Sequence, residues 1–80
     1  MIISEKILPS LLKGKIIEDI KTIYFDCKNI TKIAFKEVTF ENILFLSLRN
    51  NNIKEIEFVI NFPCLWYLDL RDNPVREYFI

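Results

Sequence analysis

The feature that most constrains the fold of this 80-residue chain is a pattern of apolar residues and one asparagine that occurs twice, 22 residues apart. The two copies are Ile43, Leu46, Leu48, Asn51 and Ile53, and Leu65, Leu68, Leu70, Asn73 and Val75. Repetition at a period of about 20–50 residues is typical of folds in which similar units stack on one another. The sequence therefore predicts one domain made of short repeated units.

A weaker copy of the same pattern lies upstream. Its apolar positions begin at Ile20, 23 residues before Ile43, and Lys28 stands where the asparagine is expected. These phases predict an N-terminal cap over 1–19, a degenerate first repeat over 20–42, a second repeat over 43–64, and a third repeat with the start of a C-terminal cap over 65–80.

The spacing within each copy has a structural meaning. Leu46 and Leu48 are two residues apart, as are Leu68 and Leu70, and such residues point to one face of a strand. We expect three short parallel strands, with the asparagine side chain bonded to main-chain groups where the chain turns away. The segments 32–40 and 54–62 are expected to form helical or 3₁₀ turns on the opposite side.

The segments ILFLSLRNNNIKEI (43–56) and LWYLDLRDNPV (65–75) resemble leucine-rich repeats. Their length is similar to that of the class in the nuclear regulatory subunit of protein phosphatase 1 and in axonemal and ciliary proteins. The resemblance covers residues 20–75 and implies an α/β fold: a short solenoid with about three parallel strands on its concave side, helical or 3₁₀ turns on its convex side and an N-terminal helical cap. It says little about function, since the class binds many unrelated partners.

Both ends of such a stack need a cap. At the N-terminus, an apolar helical face is predicted from Ile7, Leu8, Leu11 and Leu12, with Ser4 capping its start, Gly14 ending it and Pro9 tolerated in the first turn. At the C-terminus, Pro74 after the asparagine resembles a closing repeat, and residues 76–80 are expected to begin a closing helix. The alternative is that the chain is a fragment of a longer protein.

Residues between the inward leucines are expected on the concave sheet. Aromatic residues and arginines are enriched at protein-binding hot spots. The predicted partner-binding residues are Tyr24, Phe45, Trp66, Tyr67, Arg49, Arg71 and Asp69. The alternatives are that neighbouring rings cover one another, that Trp66 tucks under its repeat, and that Asp26 and Arg49 form a cross-strand ion pair of small energetic value.

The sequence offers little for catalysis. It has no histidine, and Gly14 is its only glycine, so neither a histidine-based catalytic set nor a glycine-rich phosphate loop is expected. Cys27 and Cys64 are interpreted as reduced thiols that serve as small apolar filler. We expect no enzyme activity, no catalytic residues, no cofactor and no metal site.

Charge and hydropathy limit the partners. Eleven basic residues balance eleven acidic ones, and Lys13, Lys15 and Lys28 do not form a cluster in the sequence. A neutral chain lacks the basic footprint of a nucleic-acid-binding protein, and no apolar run reaches the roughly 18 residues of a membrane span. Neither nucleic acid nor membrane is therefore expected as a partner.

The leading hypothesis is a non-catalytic, cytoplasmic scaffold that binds another protein on the aromatic sheet. The resemblance also makes a nuclear or ciliary location an open alternative. A second hypothesis is a structural element that self-associates through its C-terminal sheet edge, where an uncovered strand is a pairing template. A third is a ribonucleoprotein assembly factor, because one spliceosomal protein carries a similar repeat class and aromatic rings beside arginines stack on bases.

Overall fold

The computed structural model describes residues 1–75. Its elements, in chain order, are β1 (Ile2–Ile3), α1 (Leu8–Leu12), β2 (Thr22–Tyr24), β3 (Lys32–Ile33), β4 (Phe45–Ser47) and β5 (Tyr67–Asp69), with 3₁₀ helices at Glu5–Ile7, Ile17–Asp19 and Glu57–Asn61. The strands form two parallel sheets, one of two strands and one of three. The protein is therefore a small α/β fold in which no strand of residues 1–75 is longer than three residues.

The larger sheet has the strand order β2-β4-β5, and all its neighbours run parallel. Ile23 pairs with Leu46, and Leu46 pairs with Leu68, so the residues that the 22-residue period aligns lie side by side. Leu46 is fully buried and Ile23 nearly so. Burying this row of apolar side chains sets the register, because a shift by one residue would turn it toward solvent.

The predicted leucine-rich-repeat solenoid is wrong. The structure has a second parallel sheet, in which Ile2 pairs with Lys32 and Ile3 with Ile33, instead of one sheet backed by helical turns. The N-terminal residues thus enter a strand before any helix begins, and the helical turn expected near residue 32 is the strand β3. The physical reason is burial: Ile3 is 0% exposed and Ile33 is 7% exposed, so the pairing places both in the core.

The helix near the N-terminus is shorter than predicted. Helix α1 has five residues, carries Pro9 in its first turn and buries Leu8 and Leu12. Ser4 precedes the 3₁₀ helix Glu5–Ile7, but its side chain makes no capping hydrogen bond, so the predicted cap is wrong. The helix ends at Lys13, whose left-handed φ of 53° is followed by Gly14 at 82°.

Aromatic rings fill the core between the two sheets and the loops. The rings of Phe40 and Phe62 stack with centroids 4.7 Å apart, and Phe35 meets both edge-on. Phe58, on the 3₁₀ helix Glu57–Asn61, meets Phe62 edge-on and is also buried. Phe40 and Phe62 occupy equivalent positions of the 22-residue period, so the period also organises this cluster.

Asn51 closes the turn that follows β4. Its side-chain oxygen accepts hydrogen bonds from the main-chain N–H groups of Lys28 and Ile30 at 2.9 and 3.0 Å. Its amide nitrogen donates to the carbonyl oxygens of Phe25 and Leu48 at 3.0 and 2.9 Å. The main-chain role predicted for the repeated asparagine is therefore confirmed for Asn51.

The expected closing helix at 76–80 lies outside the described residues. Within residues 1–75, no helix has the length and apolar character that crossing a membrane requires.

Candidate functional site

The candidate site is the outer face of the larger sheet. Side chains alternate across a strand, so the inward row of Ile23, Leu46 and Leu68 leaves the flanking residues of each strand on the opposite side. We call the set Tyr24, Phe45, Tyr67 the aromatic face. Three of the seven predicted binding residues thus come from three different strands of the same sheet.

The three rings of the aromatic face touch in sequence. The rings of Phe45 and Tyr67 are stacked, with centroids 4.9 Å apart and planes 5° apart. The ring of Tyr24 lies 5.5 Å from that of Phe45 at a tilt of 43°. Offset stacking of this kind holds the rings in place before any partner arrives. The rings do cover part of one another, since Phe45 is half-buried, yet Tyr24 is 64% and Tyr67 51% exposed.

Two further apolar residues extend this surface at the start of the strands. Trp66 is 90% exposed and Leu44 is 42% exposed, and the Trp66 N–H donates to the Leu44 carbonyl oxygen at 2.8 Å. The alternative that Trp66 tucks under its repeat is therefore wrong. Large apolar side chains standing together in solvent are a mark of binding surfaces.

Asp69 and Arg71 form the polar border of the aromatic face. The guanidinium of Arg71 donates to both carboxylate oxygens of Asp69, from Nε at 3.0 Å and from Nη2 at 2.8 Å. This hydrogen bond from Arg71, helped by its charge, lowers the pKa of Asp69 and raises that of Arg71. Asp69 is only 5% exposed, whereas the side chain of Arg71 is 64% exposed and available for contact.

The predicted ion pair between Asp26 and Arg49 is not formed. Asp26 Oδ1 instead accepts the hydroxyl of Ser47 at 2.6 Å and the main-chain N–H of Arg49 at 2.8 Å. The Arg49 side chain turns toward Asp69, with Nε 3.9 Å from Oδ2. The cross-strand carboxylate therefore binds main chain and a buried hydroxyl, which leaves the guanidinium free to lean toward the next strand.

The turns that follow the strands of the larger sheet share one backbone geometry. Cys27, Asn50 and Asp72 all have left-handed φ values, of 57°, 56° and 63°. Together with Asp26 and Arg49 they line a shallow cavity of about 310 Å³. Asn and Asp adopt this conformation more readily than most residues.

Both cysteines are free and exposed. The interpretation of Cys27 and Cys64 as apolar filler is therefore wrong. Asn50 Nδ2 lies 3.4 Å from the Cys27 sulfur. In the part of the chain that the structure describes, histidine, cysteine, aspartate and glutamate side chains form no group of three or more able to hold a metal ion.

Sequence reasoning missed one feature of this sheet, a groove along the outer edge of β2. Its volume is about 370 Å³, and Lys13, Lys15 and Lys28 all line it. The view that these lysines do not cluster holds for the linear sequence and fails in three dimensions. No sequence signal reveals the groove, because only the packing of α1 beside β2 brings the lysines together.

The arrangement suits binding better than catalysis: rigid rings, a fixed ion pair and exposed cations surround no enclosed pocket. Comparison with protein-family models, with curated proteins and with solved structures finds no match to this chain, so its function has to be argued from its own surface.

Proposed function

We propose that this chain is a non-catalytic interaction module that binds a partner protein on the aromatic face. The observation that carries the proposal is the stacked row of Tyr24, Phe45 and Tyr67, which keeps two of its rings more than half exposed. Stacked rings lose little conformational freedom when they bind, so more of the contact energy remains as affinity. The rim of Trp66 and Arg71 supplies the residue types that dominate interface energetics.

The mutual cover of the rings is the main competing explanation for their position. It accounts for Phe45, which is half-buried between its neighbours. It does not account for Trp66, which is 90% exposed and joins none of the ring contacts among residues 1–75. An exposed indole contributes nothing to folding, whereas a buried one is among the strongest interface anchors.

The test is an affinity purification with the wild-type chain, followed by reconstitution with the purified candidate partner. We expect the Trp66→Ser/Tyr67→Ser double variant to lose binding by at least about tenfold, because hot-spot residues contribute about 2 kcal/mol or more each. Both side chains are exposed, so circular dichroism should show an unchanged fold. The Phe45→Ser/Tyr67→Ser variant tests the stacked pair itself, and its melting temperature is measured alongside.

Ile60→Ser is the matched control. Ile60 is 81% exposed but lies on the 3₁₀ helix Glu57–Asn61, away from the larger sheet. Binding should survive this change. Full binding by the Trp66→Ser/Tyr67→Ser variant, or equal loss in the Ile60→Ser control, would refute a role for the aromatic face.

Self-association is the second candidate, because β2 and β5 each lack a neighbouring strand on one side within residues 1–75. Such edges pair with other chains unless something covers them. Light scattering over a range of protein concentrations separates the two functions. A concentration-dependent mass that persists in the Trp66→Ser/Tyr67→Ser variant would favour edge pairing over partner binding.

A further inference from the structure

The outer edge of β2 has free strand geometry. On its inner side, the Lys21 carbonyl oxygen accepts the N–H of Phe45 at 3.2 Å, and the N–H of Phe25 donates to the Ser47 carbonyl oxygen at 2.8 Å. Alternate residues of a strand direct their main-chain groups to opposite sides, so those of Thr22 and Tyr24 point away from β4. No strand among residues 1–75 pairs with β2 on that side.

The groove beside this edge has a cationic and apolar lining. Three lysines contribute to it, and its lining includes no aspartate or glutamate. The lysines are exposed, and none of them joins an ion pair within the described chain. The apolar part of the lining comes from Leu11, Leu12, Ile20, Ile23 and Phe25.

Local structure holds the lysines at the two ends of the groove. Lys13 takes the left-handed position that ends α1, and the Lys15 N–H donates back to the Leu12 carbonyl oxygen at 3.1 Å. Lys28 lies beyond the other end of β2, where its main-chain N–H donates to Asn51 Oδ1. The main chain that carries the charges is therefore anchored, while the side chains remain free to meet a ligand.

We propose that this groove binds an extended segment of a partner protein that carries acidic side chains among apolar ones, added as a strand beside β2. Strand addition uses main-chain hydrogen bonds for affinity and side-chain sites for selection. The free N–H and C=O groups of Thr22 and Tyr24 match a peptide main chain, which a nucleic acid does not offer. The lysines select carboxylates, and the apolar lining takes the alternate side chains.

This surface is separate from the aromatic face, with which it shares only Tyr24. The two proposals therefore stand or fall independently. A partner that used both surfaces would lay one segment along the edge of β2 and cover the rings with another.

The experiment measures fluorescence anisotropy with a labelled peptide of alternating glutamate and valine. We expect saturable binding that weakens as salt is added, since exposed charges are screened. The Lys15→Glu/Lys28→Glu variant should lose about tenfold in affinity, because each exposed charge contact contributes a factor of about two to five. The Lys32→Glu/Lys54→Glu variant, which changes two lysines outside the groove, should bind as the wild type does.

A second pair of probes tests the strand geometry. A glutamate–valine peptide methylated on alternate main-chain nitrogens cannot complete the ladder and should bind at least about tenfold more weakly. Amide resonances of Thr22 and Tyr24 should shift on titration, and those of residues in β5 should not. The Trp66→Ser/Tyr67→Ser variant should retain peptide binding, which separates this proposal from the function of the aromatic face.

Three results would overturn the inference. The first is equal affinity for a lysine–valine peptide, the second is equal affinity for the methylated peptide, and the third is tighter binding of an oligouridine than of the acidic peptide. If Lys15→Glu/Lys28→Glu disturbs the fold, the neutral Lys15→Gln/Lys28→Gln variant takes its place. Unchanged affinity in that folded variant would equally refute the role of the lysines.

Discussion

Asn51 is the residue whose side chain joins the most separate parts of this fold. It is 5% exposed, and its single amide contacts main-chain groups on both sides of the gap between the first and second copies of the repeat. Asn73 repeats the arrangement one copy later, accepting the Ile53 N–H at 3.0 Å and donating to the Leu48 carbonyl oxygen at 2.7 Å. Lys28 holds the corresponding place in the first copy, which has no such amide.

Replacing Asn51 with alanine should destabilise the protein by at least about 2 kcal/mol. Each buried main-chain group that loses its partner costs about 1–3 kcal/mol, and the Ile30 N–H and Phe25 carbonyl oxygen are both buried. Urea unfolding followed by circular dichroism measures the change. Asn52→Ala is the matched control, since Asn52 is exposed and bonds to Ile30 through its own main-chain N–H. Equal stability of the two variants would contradict the role of Asn51.

At the scale of the elements, strands of two or three residues are stable here only because their apolar side chains enter a shared core. The pair β1–β3 is the clearest case: it consists of two residues from each strand. The Thr31 N–H donates to the Met1 carbonyl oxygen, and the Ala34 N–H to the Ile3 carbonyl oxygen, both at 2.8 Å. A ladder this short cannot hold two segments together without burial.

Ile3→Ala should therefore lower the free energy of unfolding by about 2–5 kcal/mol, the usual range for removing a buried isoleucine side chain. Ile2 is its neighbour on the same strand and is 57% exposed, whereas Ile3 is 0% exposed. Ile2→Ala should change stability by less than about 0.5 kcal/mol, as surface substitutions usually do. Chemical denaturation of both variants decides the point: similar losses would mean that β1 is not inserted as the structure shows.

At the scale of the whole molecule, one carboxylate connects the N-terminal region to a distant loop. Glu5 Oε2 accepts the main-chain N–H groups of Lys36, Glu37 and Val38 at 2.7, 2.9 and 3.2 Å. These bonds, led by that from Glu37, lower the pKa of Glu5 from 4.5 to about 2. The ionised carboxylate thus fastens the segment before α1 to the chain between β3 and β4.

The lowered pKa makes stability depend on pH. Because the folded-state pKa lies below the unfolded value of 4.5, the contribution of Glu5 is fully present above pH 4.5 and is lost as the pH falls toward about 2. Melting temperatures across this interval should fall more steeply for the wild type than for Glu5→Gln. Subtracting the two curves removes the contribution of Asp69, whose lowered pKa acts in the same direction. Parallel curves would show that Glu5 does not hold the loop.

The sequence by itself determined the positions that repeat. The 22-residue period aligns Ile23 with Leu46 and Leu68, or differs from that alignment by one inserted residue, and these are the residues that pair in the larger sheet. It also identified the aromatic residues that face outward, because alternation along a strand separates them from the inward leucines. Such inferences succeed because they depend only on local geometry and on the cost of exposing apolar rows.

Only the tertiary structure decided the rest. The pairing of Ile3 with Ile33 joins segments 30 residues apart, and nothing local in either segment specifies that contact. The groove of Lys13, Lys15 and Lys28 and the turn of Arg49 toward Asp69 likewise arise from packing between distant elements. Long-range contacts depend on which surfaces remain to be covered once the repeated strands have paired, and a one-dimensional pattern does not contain that information.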